Sequence, residues 1–344
     1  MITNDGGLAR WTQGPFVHES TDDPVDRCWS HLSMFSEPGI VDRFITDRHG
    51  CATEAGLAER IASQVMQARE FFGSAEASTL NTRPVLLYYG ALNLAEAAHG
   101  LLRNGRPKPA HGMNIKAGQG LAEWSIVFRN KGVVQDFANL FGVSITQTDN
   151  GNQSGRVDVS LGDFLSRDPS ASRLLDSHHI LPALCGDVYA IEESRSADKI
   201  YEAGLHLWLF RARTTHDVDA ITRFADPVTS ELDRNARIVC VEKSGLGVVG
   251  YERTVNHRGA LTPAIPGQAS WWPYPIRQFA AIWILSEISR YSPQSLSFSA
   301  PVETRRFLPA IEVLMQDILR TFPNEVLNLI NEASMDFGRP FVLL

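Results

Sequence analysis

The segment Arg106-Pro-Lys-Pro-Ala-His111 sets one imidazole close behind two cations. An imidazole titrates near neutral pH, so His111 is a candidate general acid or base. Arg106, Arg103 and Lys108 are candidates for stabilising negative charge that develops during a reaction. Pro107 and Pro109 stand between Arg106 and His111, so the pair cannot share a regular helix. Comparable spacings occur at Arg43/His49, Arg173/His178, Arg173/His179 and Arg211/His216. Context therefore singles out Arg106 and His111, not spacing.

That context is the preceding segment, Arg83 to Arg103. Apolar residues occupy nearly all its faces, Pro84 suits a first helical turn, and Asn104-Gly105 suits a C-terminal stop. It reads as the buried central helix of an N-terminal helical lobe. Tyr89, Asn93, Glu96, His99 and Arg103 recur along it at intervals of three and four, forming one polar stripe. Glu96 with His99, and His99 with Arg103, are spaced to pair along the helix. With Lys108, the stripe supplies the candidate substrate-binding residues. Buried polar groups need partners or water. Two readings follow: a functional cleft lined by the stripe, or a satisfied polar seam.

The elements around this site are legible as periods. Leu57, Ile61, Val65, Ala68 and Phe72 mark an amphipathic helix of four or five turns. The first 25 residues read as irregular, and helical pattern begins at Cys28. Strands are expected at 124–128, 143–147, 157–161, 205–211, 237–241 and 248–254, the last two as a hairpin around Lys243-Ser244-Gly245. Helices are expected at 171–185 and 217–224. Pro275 opens a further helix that closes near Tyr291. Another, from Phe307, is expected to stop at Phe322-Pro323 before a short helix through Ile330.

Other motifs read as structural. Gly245-Leu-Gly247-Val-Val-Gly250 matches GxGxxG but keeps a strand pattern afterwards, which argues against dinucleotide binding. His216-Asp217-Val-Asp219 lacks a partner cluster, and His178-His179 precedes an apolar run. Trp271-Trp272-Pro273-Tyr274 reads as a loop anchor first and a base-stacking platform second. There is no P-loop, GxSxG, HExxH or kinase signature. Cys28, Cys51, Cys185 and Cys240 are far apart, so neither a zinc site nor a disulfide framework is expected, and scattered buried thiols are. No metal and no cofactor is expected.

The chain has 344 residues and a net charge of −7, so no global basic field attracts nucleic acid. A local basic groove is compatible with that charge. No apolar run is long enough for a membrane span, and the N-terminus lacks the order of a secretory signal. A soluble, cytoplasmic protein is the expectation.

Four stretches together resemble the bacterial YaaC-like family: Trp29 to Ser36, Arg83 to Ala97, His111-Gly112, and Ile284 to Pro293 followed by a helix and Phe322 to Ile330. More distantly, Tyr88, Tyr89, Leu92, Ala95 and His111-Gly112 resemble part of the HEPN helical domain. Many HEPN proteins are ribonucleases with an Arg-x(4–6)-His motif, working as dimers that place two motifs in one cleft. The resemblance implies that Arg106 and His111 are catalytic. It implies metal-independent RNA cleavage, in which a 2′-hydroxyl attacks the phosphate, and a role as a toxin or phage-defence effector.

The expected fold is α+β and mainly helical. It comprises an irregular segment (1–27), a HEPN-like helical lobe (28–120), a small mixed α/β lobe (121–256) and a C-terminal helical lobe (257–344) packing on the first. Two functional classes remain open: an RNA-cleaving or RNA-processing effector, with RNA as partner and a homodimer implied, and a non-catalytic module that binds a nucleotide, RNA or a protein partner.

Overall fold

A computed structural model describes residues 16–129, 131–145, 158–168, 170–175, 184–190, 207–212, 238–242, 250–253, 258–262 and 272–338. It is mainly helical, with small sheets. The chain divides into two compact units, one formed by residues 1–165 with 272–344 and the other by 166–271.

The first unit is built on two antiparallel helices, α3 (Leu57–Glu76) and α4 (Arg83–Arg103). The apolar stripe of α3, from Leu57 through Phe72, is buried as its period requires. Pro84 lies in the first turn of α4, and Asn104 caps its end in the left-handed region (φ 49°), its N–H donating to the Gly100 carbonyl. Asparagine tolerates that conformation better than most residues. Gly90 and Gly100 let the helices approach. A Cβ on Gly90 would lie 2.6 Å from the Phe72 ring, and one on Gly100 would lie 2.7 Å from Ile61 Cδ1.

Helix α4 is central: α2 (Pro38–His49), α3, α5 (Val133–Leu140), α7 (Tyr274–Tyr291) and α9 (Leu308–Asn331) all pack on it. From Tyr274 through Ile288 every residue of α7 is buried, including Arg277, Gln278, Ser286 and Glu287. The expected stop at Phe322-Pro323 does not occur; α9 runs unbroken with Pro323 inside it. Proline costs a helix interior about 3 kcal/mol. Ile311, Leu314, Met315 and Ile318 before it, and Val326 and Ile330 after it, form one buried stripe whose packing offsets that cost.

The N-terminal region also differs from expectation. Phe16–Ser20 forms a strand, β1, parallel to the C-terminal strand β10 (Ser334–Gly338), and α1 (Pro24–Leu32) begins before Cys28. Strand order links the chain's two ends, a pairing that no local period announces. Cys28 is buried, but Cys51 is exposed and its Sγ accepts from Asn104 Nδ2 at 3.4 Å.

Strands β2 (Met113–Lys116), β3 (Ser125–Phe128) and β4 (Asp158–Ser160) form an antiparallel sheet in the same unit, followed by α6 (Leu161–Arg167). Of the strand expected at 143–147, residues 143–145 are irregular and the rest lie outside the described residues.

The second unit holds a five-stranded antiparallel sheet of β5 (Leu184–Ala190), β6 (Leu207–Ala212), β7 (Ile238–Glu242), β8 (Gly250–Arg253) and β9 (Arg258–Thr262), in the order β7-β6-β5-β9-β8. The expected β7–β8 hairpin is absent, because β7 pairs with β6 while β8 pairs with the strand that follows it. Ladder partners were chosen across the sheet, beyond what the flanking turn residues signal. Of the helix expected at 171–185, Ala171–Leu174 form a 3-10 turn and Leu184 and Cys185 belong to β5, while residues 176–183 lie outside the described residues. The helix expected at 217–224, His178-His179 and His216 to Asp219 lie outside the described residues.

Candidate functional site

His111 is positioned by its backbone first. Its carbonyl accepts from Val134 N (3.3 Å) at the start of α5, and the flanking carbonyls of Ala110 and Gly112 accept from Val133 N (2.7 Å) and Arg129 N (2.8 Å). Gly112 (φ +81°) abuts Gly132 (φ +127°). A Cβ on Gly112 would meet the Lys131 carbonyl at 2.9 Å, and one on Gly132 would meet Gly112 N at 2.5 Å. Both positions need glycine for conformation and for space. The His-Gly pair is thus the place where two backbone segments cross.

The ring is oriented next. The Tyr88 hydroxyl, projecting from α4, lies 2.5 Å from His111 Nδ1. The indole of Trp283, from α7, stacks against the imidazole with centroids 4.9 Å apart and planes 29° apart. Tyr88 also packs on Trp283 (4.8 Å) and Phe279 (5.7 Å). Tyr88 and Trp283 are buried, whereas His111 is exposed as a residue and covered only on its inner side. Trp283 Nε1 is buried with no acceptor among the described residues.

Charge reaches the ring from α7. Arg290 forms an ion pair with Glu287, and its guanidinium lies over the Trp283 ring at 5.6 Å. Burial, then the Arg290 charge, lower the His111 pKa, while Glu287 and Glu96 pull it back up. The imidazole is therefore mainly neutral at neutral pH. Burial pushes the Tyr88 phenol well above its ordinary value, so it keeps its proton. That proton has no acceptor other than His111 Nδ1 among the described residues. The resting tautomer that satisfies it has Tyr88 donating to Nδ1 and the proton of the imidazole on Nε2.

The remaining expected site residues sit elsewhere on the surface of α4 and after it. Arg106 Nε pairs with Glu54 at 3.6 Å, so its guanidinium is engaged away from the Tyr88–His111 hydrogen bond. Glu96 accepts from Arg60 (3.0 Å) and from Gln64, across on α3. Tyr89 stacks on Phe71 with centroids 5.8 Å apart, and Asn93 Nδ2 donates to the Tyr89 carbonyl at 3.0 Å. Arg103 donates to the Asn139 carbonyl (3.4 Å), and the Lys108 backbone N–H donates to Asp136 Oδ2 (2.9 Å). His99 is half-buried, its Nδ1 without a partner among the described residues; burial lowers its pKa, opposed chiefly by Asp136. The stripe is largely a paired seam between α4 and its neighbours.

Sequence reasoning missed Tyr88, Trp283, Glu287 and Arg290. A signal existed for two of them: Glu287 and Arg290 are charges three apart in a mainly apolar helix whose only other charge is Arg277. Tyr88 entered only as one of the residues that resemble the HEPN domain, with no role given to it, and Trp283 read as core on the apolar face of α7. Among aromatic candidates, Trp272 and Tyr274 are buried, with Trp272 edge-on to Phe128 at 4.8 Å, so neither is free to stack on a ligand.

A family model described as YaaC-like Protein matches residues 33–330. The chain belongs to the YaaC-like family. The match spans His111 and the helices bearing Tyr88, Trp283 and Arg290, so the whole cluster lies within the YaaC-like region. No curated protein and no solved structure matches the chain. Among the described residues of this YaaC-like chain, no group of three or more His, Cys, Asp or Glu side chains is placed to hold a metal, and no helix is long and apolar enough to cross a membrane.

Proposed function

We propose that His111 is the acid–base centre of a metal-independent RNA-cleaving or RNA-processing site, in keeping with the distant HEPN resemblance. One observation carries this reading: an exposed imidazole is locked in orientation by a buried phenol and a stacked indole. A surface histidine with no task gains little from such fixing, because ordering it costs rotamer freedom.

In the resting tautomer Nε2–H points its proton outward, ready to hydrogen-bond to the charge that develops on a phosphate oxygen. In the other tautomer Nδ1–H donates to the phenol oxygen and Nε2 is a free base for a 2′-hydroxyl proton, and the phenol proton then gives up its one acceptor among the described residues. The Arg290 charge acts on this ring, and it takes the role that the Arg-x(4–6)-His pattern assigns to Arg106. Tyr88 and Trp283 act as positioning residues. Purified protein incubated in EDTA with total RNA and a panel of tRNAs tests the reading. Cleavage by wild type and not by folded His111→Ala supports it; equal cleavage by both refutes it.

A second reading, a non-catalytic module binding a nucleotide, RNA or a protein, is favoured by the pairing of Glu96, Arg103 and Arg106. Absence of cleavage by either protein, with RNA retained, supports this alternative.

A further inference from the structure

The segment from Arg290 to Arg306 displays apolar and cationic side chains together. Tyr291 and Phe298 are each 71% exposed and Val302 is 65% exposed, the three highest values among the exposed large hydrophobic residues described. These residues are not on a loose tail. Leu296 (1% exposed) and Ala300 (8%) pin the segment between α7 and α8 (Val302–Arg305), and Phe307 is buried just beyond. The Arg305 guanidinium donates to the Phe298 carbonyl at 3.3 Å, fixing the turn that presents that ring.

Arg290 lies beside one of the exposed rings, and Arg306 lies over the buried Phe307. The Arg290 guanidinium lies 5.6 Å from the Tyr291 ring, and that of Arg306 lies 4.9 Å from the Phe307 ring. Glu303 is the only acid between Arg290 and Arg306, and neither Arg305 nor Arg306 has an ion pair among the described residues. Anchored, exposed aromatic rings beside exposed arginines that have no ion pair among the described residues suit a strand whose bases stack and whose backbone is anionic. The platform is continuous with the His111 site through Arg290, which touches both the Trp283 and the Tyr291 rings.

We propose that this platform binds single-stranded RNA and presents it to His111; the proposal rests on the RNA reading above. Tyr291 and Phe298 stack bases, and Arg305 and Arg306 contact phosphates. Duplex RNA, whose bases are already stacked inside, is the poorer ligand.

The test is fluorescence anisotropy of a labelled oligouridine, using His111→Ala protein so that cleavage cannot interfere. Each of Tyr291→Ala and Phe298→Ala weakens binding about tenfold, the usual worth of one stacked base. Arg305→Gln with Arg306→Gln lowers the slope of log affinity against log salt by about 1.4, at about 0.7 per single-strand phosphate. A duplex of equal length binds at least about tenfold more weakly. Because all four side chains are exposed, the variants keep the wild-type melting temperature, which is checked in parallel. Oligouridine binding that is absent, or unchanged in all the variants, overturns the proposal. So does self-association that the variants abolish in a protein without RNA affinity, which assigns the patch to a second copy. These outcomes are separate from those of the cleavage reading: RNA bound on the platform but never cleaved by wild type upholds the binding surface and overturns its service to a catalytic His111.

Discussion

At the scale of single residues, the His111 environment makes opposed charge predictions. Arg290 lowers the imidazole pKa and Glu287 raises it. Arg290→Gln should therefore move the His111 titration up, toward the ordinary 6.5, and Glu287→Gln should move it further down; NMR titration of the ring protons reads both. Shifts of the same sign in both variants contradict the electrostatic account. Tyr88→Phe keeps the ring packing but leaves Nδ1 without its hydroxyl. A hydrogen bond of this kind is worth about 1 kcal/mol net. The variant should therefore stay folded, lose that order of stability in urea titrations, and lose cleavage together with the fixed ring. At this scale the sequence singled out His111 and Gly112, offered Tyr88 only through a family resemblance, and gave no sign of Trp283. A tyrosine and a tryptophan on buried helix faces look like core until the fold turns their edges toward one histidine.

Among elements, the α3–α4 contact sets two helix-forming tendencies against packing. Alanine in place of glycine gains a helix about 1 kcal/mol. At Gly90 the new methyl meets the Phe72 ring, which is stacked on Phe322 and cannot easily yield. Overpacking there costs about 1–3 kcal/mol. Gly90→Ala should accordingly be destabilising. At Gly100 the obstacles are Ile61 Cδ1 at 2.7 Å, which can turn, and Cγ1 at 2.9 Å, which need shift only slightly, so Gly100→Ala should cost less than Gly90→Ala. The difference in urea midpoint between the two variants checks this; equal midpoints contradict it. Helices α3, α4 and α7 were readable because each carries its own period and stop signals. The unbroken α9, the β1–β10 pairing and the order of the five-stranded sheet were not, because each depends on contacts between distant segments. Pro323 shows the limit most plainly, since a reliable local stop was overridden by a stripe of packing on both sides.

For the whole molecule, stability is tied to pH through Glu325, which is buried on α9 near Cys28. Burial pushes its carboxyl up to about 7, with the Asn328 hydrogen bond pulling the other way. Between the unfolded value of 4.5 and about 7, the native chain holds a proton that the unfolded chain lacks. Stability from this group thus falls as pH rises through that window, by about 3 kcal/mol, and is level above it. His31, His99 and His111, all lowered, act in the opposite direction below their ordinary 6.5. Glu325→Gln isolates the first effect: it should gain on wild type as pH rises from about 5 to about 8, and an unchanged difference across that range contradicts the assignment.

The proposed reaction depends on which cation serves His111. RNA cleavage in EDTA by wild type, His111→Ala, Arg106→Ala and Arg290→Ala, each checked for folding, measures this directly. The account predicts loss with His111→Ala and Arg290→Ala and near wild-type cleavage with Arg106→Ala. Cleavage that survives His111→Ala would contradict it outright.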